Sequence, residues 1–284
     1  MSASNRERID VMAATATESE TLLRAIGAGP DHPIDVAAAA LALSALDASR
    51  AETTPYSQHL TDVARAVGQK TVRTVEDAHS ALRTVLSNDH GYVGDDQTYD
   101  DLQNANLMHV IDRRKGLPVA LGILYIDAAR AQGWTIEGLG FPGHFLLRLD
   151  WNGARIVLDP FHGGVERTPN DLRALLQTVQ GAGAELQPQH YQGVTDREIL
   201  LRLLNNIKLR QLQKGDSARA ATVIEHMMLI APGVLDLWRE LGLARANAGA
   251  IKGAITALEY YQDAAATRNN DVSALLGRLR QYLN

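Results

Sequence analysis

Apolar positions in the first hundred residues recur at helical spacing. "IDVAAAALALSALDASR" (34–50) reads as one helix, and "PYSQHLTDVARAVGQK" (55–70) as a second with Leu60, Val63, Ala64 and Val67 on one face. "VEDAHSALRTVLSND" (75–89) aligns Ala78, Leu82 and Val85 on a stripe. "NLMHVIDRRKG" (106–116) ends in a basic last turn and a glycine, the usual stop signal. The stretch "RRKGLPVALGILYIDAARAQG" then places Pro118 where a helix begins, because proline lacks only an N–H that would be unpaired there. Apolar residues at Val119, Leu121, Ile123, Leu124 and Ile126 predict a deeply buried helix closed by Gly133.

Beyond Gly133 the period drops to two. "TIEGLGF", "HFLLRLD" and "ARIVLD" are short β-rich runs, and Asn152-Gly153 between the last two is a strong hairpin signal. A two-residue turn there pairs Trp151 with Ala154 and carries the register on to Leu146 opposite Asp159. Alternate residues share a face, so His144 and Asp159 become diagonal neighbours, roughly 7 Å apart at the backbone. A slip of one residue would separate them.

"QGAGAELQPQHYQG" (180–193) reads as a linker. After it the pattern repeats: Gly215 and Gly249 are 34 positions apart, as are Ala220 and Ala254, with Pro232 between the units. That period is the tetratricopeptide spacing, in which glycine makes the turn within a helix pair and alanine lets the helices approach. Trp238, Leu241 and Gly242 supply its "W-x-x-L-G". Only two units fit where about three are usually needed, so the tail is expected to lean on the first domain or on another copy of itself. The expected domains are 1–185 and 195–284.

Composition narrows the function classes. Hydrophobic residues are 45% and charged residues 21% of 284, ordinary for a globular protein, and the net charge of -5 lacks the basic excess of a nucleic-acid binder. Arg113-Arg114-Lys115 reads as the charged end of a helix before Gly116. "MSASNRERIDVMAA" has no apolar stretch after its charges, and "VAAAALALSAL" is too short to span a bilayer, so no membrane role and cytoplasmic residence are expected. With no cysteine there is neither a disulfide nor a thiolate zinc site. "GDDQTYDD" (94–101) lacks the glycine and terminal glutamate of a calcium loop and reads as a solvated acidic turn. His109 reads as a surface or interface histidine.

"GLPVALGILYIDAARAQGWTIEGLGFPGHFLLRL" with "LDPFHGG" resembles the transglutaminase-like superfamily, and "RRKGLPVALGILY", "FPGHFLLRL" and "LDPFHGG" resemble its SirB-type branch. The resemblance implies an α+β fold: a papain-like core with a helical N-terminal leader, followed by an all-α tetratricopeptide tail. It also implies a cysteine–histidine–aspartate triad. The histidine falls on His144 and the aspartate on Asp159, and aligning Gly116 and Gly133 with the family's glycines puts the nucleophile's position at Pro118. A cysteine at a helix start beside an imidazole would be an activated thiolate. Proline has no nucleophile, and no serine, threonine or cysteine lies from Lys115 to Ile126 to replace it.

Three roles stay open for His144 and Asp159: a hydrogen-bonded structural pair, a polar contact in a ligand cleft, or a metal site together with His162. The metal reading has suitable donors but irregular ligand spacing, so no metal and no cofactor are expected. The functional expectation is a catalytically inactive protein that binds a protein or peptide partner through the tail, with self-association open. The alternative is an amide or ester hydrolase in which His144 acts as general base on water and Asp159 orients it.

Overall fold

The computed structural model describes residues 18–47, 52–266 and 269–282. The N-terminal stretch 1–14, and Ala48–Arg50 at the end of the first predicted helix, lie outside the described residues. Two compact units emerge: Asp31–Leu200, and Glu20–Pro30 together with the chain from Leu201 onward. Helix α1 (residues 18–28) therefore groups with the tail.

In the first unit, α2 (Val36–Asp47), α3 (Thr54–Gly68) and α4 (Val75–Arg83) follow the predicted spacing, and Leu60, Val63, Ala64, Val67, Ala78, Leu82 and Val85 are buried. Thr74 starts α4 with a reciprocal cap: its side chain accepts from the Asp77 N–H, and Asp77 accepts from the Thr74 N–H. A π-helical turn, Thr84–Asp89, follows. Helix α5 (Leu107–Arg113) ends earlier than its glycine suggested. Arg114 itself adopts the left-handed conformation (φ 61°), because Lys115–Gly116 is needed as strand β2, parallel to β1 (Val93–Gly94). The basic run is correspondingly not a plain charged helix end. Arg113 binds Asp95 and Asn104 at 2.9 Å each, while Arg114 donates to the Tyr92 hydroxyl and lies 2.8 Å from His59 Nε2. Asp95 is in turn 2% exposed and accepts from the Thr98 N–H and hydroxyl, so this part of the acidic turn is a buried anchor, not a solvated one.

Pro118 opens α6 (Pro118–Arg130) and is buried, as is nearly the whole helix. Five antiparallel strands follow in spatial order β6-β5-β4-β3-β7: β3 (Thr135–Leu139), β4 (Leu147–Trp151), β5 (Ala154–Asp159), β6 (Val165–Glu166) and β7 (Gly193–Val194). The Asn152-Gly153 turn has both residues at positive φ (47° and 85°), and Trp151 pairs with Ala154 through to Leu147 with Leu158. One sheet face carries Ile136, Leu149, Ile156 and Leu158. Phe145 wedges between Gly122 of α6 and Gly138 of β3, where a Cβ at either position would meet its ring at 2.5 and 2.8 Å. The other face packs Leu139, Phe141 and Leu146 against Leu172 and Leu176 of α7 (Pro169–Gln180).

The segment read as a linker belongs to this packing. Ala184, Leu186 and Tyr191 lie against the same cluster, His190 is buried, and Gly193–Val194 pairs with β3. Gly181 and Gly183 suggested a loop; the apolar residues between the polar ones close the edge of the sheet.

In the second unit, α8 (Asp196–Gln213, from Leu201), α9 (Ser217–Ile230), α10 (Asp236–Asn247) and α11 (Ile251–Ala264) form the two helix pairs. Gly215 and Gly249 turn at φ 76° and 77°, and Ala220 and Ala254 are fully buried. Gly242 lets α10 approach α11, since a Cβ there would stand 2.5 Å from Leu258 and 3.3 Å from the Ala254 carbonyl. Helix α12 (Asn270–Gln281) covers Ile255 and Leu258 with Val272, Leu276 and Leu279. At the other end α1 presses on α9: a Cβ on Gly27 would meet the Leu229 carbonyl at 2.1 Å. The short array is thus extended by a helix from the beginning of the chain.

Candidate functional site

The site forms where β5 runs out. Asp159 is its last residue, and Pro160 starts a single 3-10 turn, Pro160–His162, which Asp159 caps by accepting from the N–H groups of Phe161 (3.1 Å) and His162 (3.4 Å) through Oδ1. Gly163 and Gly164, both at positive φ (67° and 72°), reverse the chain so that Val165 pairs with Asp159. Alternation then puts Arg167 on the same side as Asp159.

Everything converges on the other carboxylate oxygen. Asp159 Oδ2 lies 3.0 Å from His144 Nε2 and 2.8 Å from His162 Nδ1, and it accepts from Arg167 Nε (3.0 Å) and Nη2 (2.7 Å). The carboxylate is fully buried. Burial pushes its pKa up, but the contacts from His144, Arg167 and His162 outweigh this and hold it well below the usual carboxylate range. The His144 ring is 17% exposed, stacked on His162 (centroids 5.9 Å apart, 27°) and edge-on to Phe161. Phe145 fixes the loop beneath it.

Pro118 reaches this neighbourhood through its lead-in. Strand β2, two residues upstream, pairs with β1, and Gly94 of β1 lies against the Phe161 ring, which a Cβ there would meet at 2.4 Å. Helix α6 also packs on the Pro160–His162 turn. His109, by contrast, sits half-buried on α5.

His144, Asp159 and His162 have ligand-type atoms within 4.8 Å of one another, a set that suits zinc or iron. Arg167 already supplies a cation to the same oxygen, and its Nη2 is 2.9 Å from His162 Nδ1. An incoming metal ion would therefore have to displace the guanidinium. His162 Nδ1 either donates to Asp159 or accepts from Arg167, depending on its tautomer.

Arg167 was missed in the sequence and His162 undervalued. The signal existed: a Gly-Gly turn after "LDPFH" followed by a short β run lets the parity argument that found His144 also find Arg167.

A buried helix opening under a small antiparallel sheet, with a histidine–aspartate pair at the sheet's end, defines a papain-like α+β core. The chain belongs to the transglutaminase-like superfamily, whose family model matches residues 54–205. A tetratricopeptide repeat model matches 207–280. A UPF0162 protein of Xylella fastidiosa strain Temecula1 is 32% identical over 185 residues, covering 64% of this chain and 66% of that one. Another, from Vibrio cholerae, is 39% identical over 125 residues (44% and 46%). Human F-box only protein 21 is 28% identical over 137 residues, 45% of this chain but 20% of that protein. Among the described residues no helix is long and apolar enough to cross a membrane.

Proposed function

We propose that this chain is a catalytically inactive, SirB-type transglutaminase-like protein of the cytoplasm that binds a protein or peptide partner through its tetratricopeptide tail. The observation that carries this reading is Pro118 as the first residue of a buried helix, in the position where the superfamily's resemblance puts a nucleophile, in a chain without cysteine. Proline supplies neither a nucleophile nor a backbone N–H for an oxyanion at that position. The remaining pair is tied into an Asp159–Arg167–His162 network that supports the end of the sheet.

The tail supplies contact area. Trp238 and Tyr260 pack at 4.1 Å between centroids with Tyr260 half exposed, and Leu209 and Leu212 are exposed on α8. The test immobilises the full chain and compares capture by wild type, His144→Ala and Trp238→Ala/Tyr260→Ala. A partner that survives the first variant and is lost with the second is expected; the reverse pattern overturns the reading.

A second reading is a hydrolase without its own nucleophile. It is favoured by the 3.0 Å contact of His144 Nε2 with Asp159, which directs Nδ1 to act as the base on a water. An amide or ester hydrolysis abolished in a folded His144→Ala variant would establish it in place of the inactive one.

A further inference from the structure

The far end of α6 holds a different arrangement. A groove of about 310 Å³ runs between α2, α3 and α6 of the first unit, with Ala37, Leu41, Leu60 and Ala64 as its apolar walls. Asp35 and Asp127 both line it, as do Ser57 and Thr61. Its polar atoms share one character. The Ser57 and Thr61 hydroxyl protons are already given to the carbonyls of Thr53 (3.3 Å) and Ser57 (3.0 Å), so both oxygens face a ligand only as acceptors. Asp35 accepts from the Ala38 N–H at 2.8 Å and keeps its second oxygen. The Asp127 carboxylate receives no hydrogen bond from the described residues, and Arg130, the cation nearest to it on α6, is turned to Asp196 at 2.8 Å. Asp127 also lies in the last turn of α6, where the helix end is itself negative.

A wall of acceptors, two carboxylates and an apolar floor fits a compact cation on a hydrocarbon stem. An ammonium has three donors that can be spread over two carboxylates and a hydroxyl, whereas a planar guanidinium is better matched by one carboxylate held bidentately. A hydrated metal ion would leave the alanine and leucine walls uncovered. We infer that this groove seats the side chain of a lysine from a protein partner. The inference rests on the binding-module reading and names the chemistry of the partner. Burial and the neighbouring Asp35 push Asp127 up to about 6, the direction expected of an acid lacking its counter-ion.

The test is an amide-resolved NMR titration of the full chain with Nα-acetyl-lysine N-methylamide, beside the uncharged norleucine analogue. Saturable shifts confined to Ala37–Leu41, Ser57–Ala64 and Asp127–Ala131, with a Kd of about 1–10 mM, are expected for lysine only. Asp127→Asn should weaken them about tenfold, and since it removes a desolvated charge it should not unfold the protein. Absence of saturable lysine shifts, equal shifts with norleucine, or unchanged affinity in Asp127→Asn would each overturn the inference. Because the probe is a small molecule, its failure removes this seat without touching capture by the tail.

Discussion

Asp159 and Asp127 sit near opposite ends of α6 and are treated in opposite ways. The first is fully buried, yet it is surrounded by two imidazoles, a guanidinium and two backbone N–H groups, and stays ionised. The second is less buried, has a second carboxylate as its electrostatic neighbour, and is pushed up to about 6. Burial disfavours both anions; the donors decide the sign. A completed network is structural, and an uncompleted one marks a place where something else can bind.

The largest expected effect is at the completed end. Asp159→Ala strands Arg167 and two histidines around a missing anion and should lose about 3–5 kcal/mol in urea unfolding. A loss below about 1 kcal/mol would mean the network is no more than a surface ion pair. Arg167→Gln removes two of the donors but leaves the others, so about 2 kcal/mol is expected. At the uncompleted end the sign reverses: Asp127→Asn should gain about 1–2 kcal/mol at pH 7.5. Its folded pKa is raised, so the wild-type contribution is fully present below the unfolded carboxylate value and is lost as pH rises through about 6. The gain of the variant should accordingly vanish by about pH 4. Asp159, with its pKa lowered, behaves inversely: its contribution is present above the unfolded value and lost only in stronger acid. Smallest is Tyr125→Phe. Its fully buried hydroxyl has no hydrogen-bond partner among the described residues, so removal should be stabilising by no more than about 1 kcal/mol in the same measurement.

The parts legible in the sequence were those set by local chemistry. Asn152-Gly153 specified its turn and hence the register of β4 on β5. Pro118 marked a helix start, and Gly215 and Gly249 marked the two turns of the repeat. What escaped was decided by tertiary pairing. Gly116 looked like a helix stop, but β1 required it as a strand residue, and a bulky arginine took the left-handed position instead. Asp95 looked solvated because nothing in its own stretch announces that Arg113, 18 positions on, will close over it. The glycines at 181 and 183 suggested a linker, although Leu186, His190 and Tyr191 had a sheet edge to cover. The groove between α2, α3 and α6 was invisible because it depends on the unspent lone pairs of residues far apart in the chain.

The packing of α1 on α9 has a consequence for how the molecule is made. A ribosome releases residues 20–30 long before Leu229 exists, so the helix carrying Gly27 and the fully buried Leu23 must wait for the surface it finally meets. The second unit is therefore completed by a segment made well ahead of the helices it joins. A fragment cut at the obvious midpoint, starting near Thr195, would be born without one of its own helices.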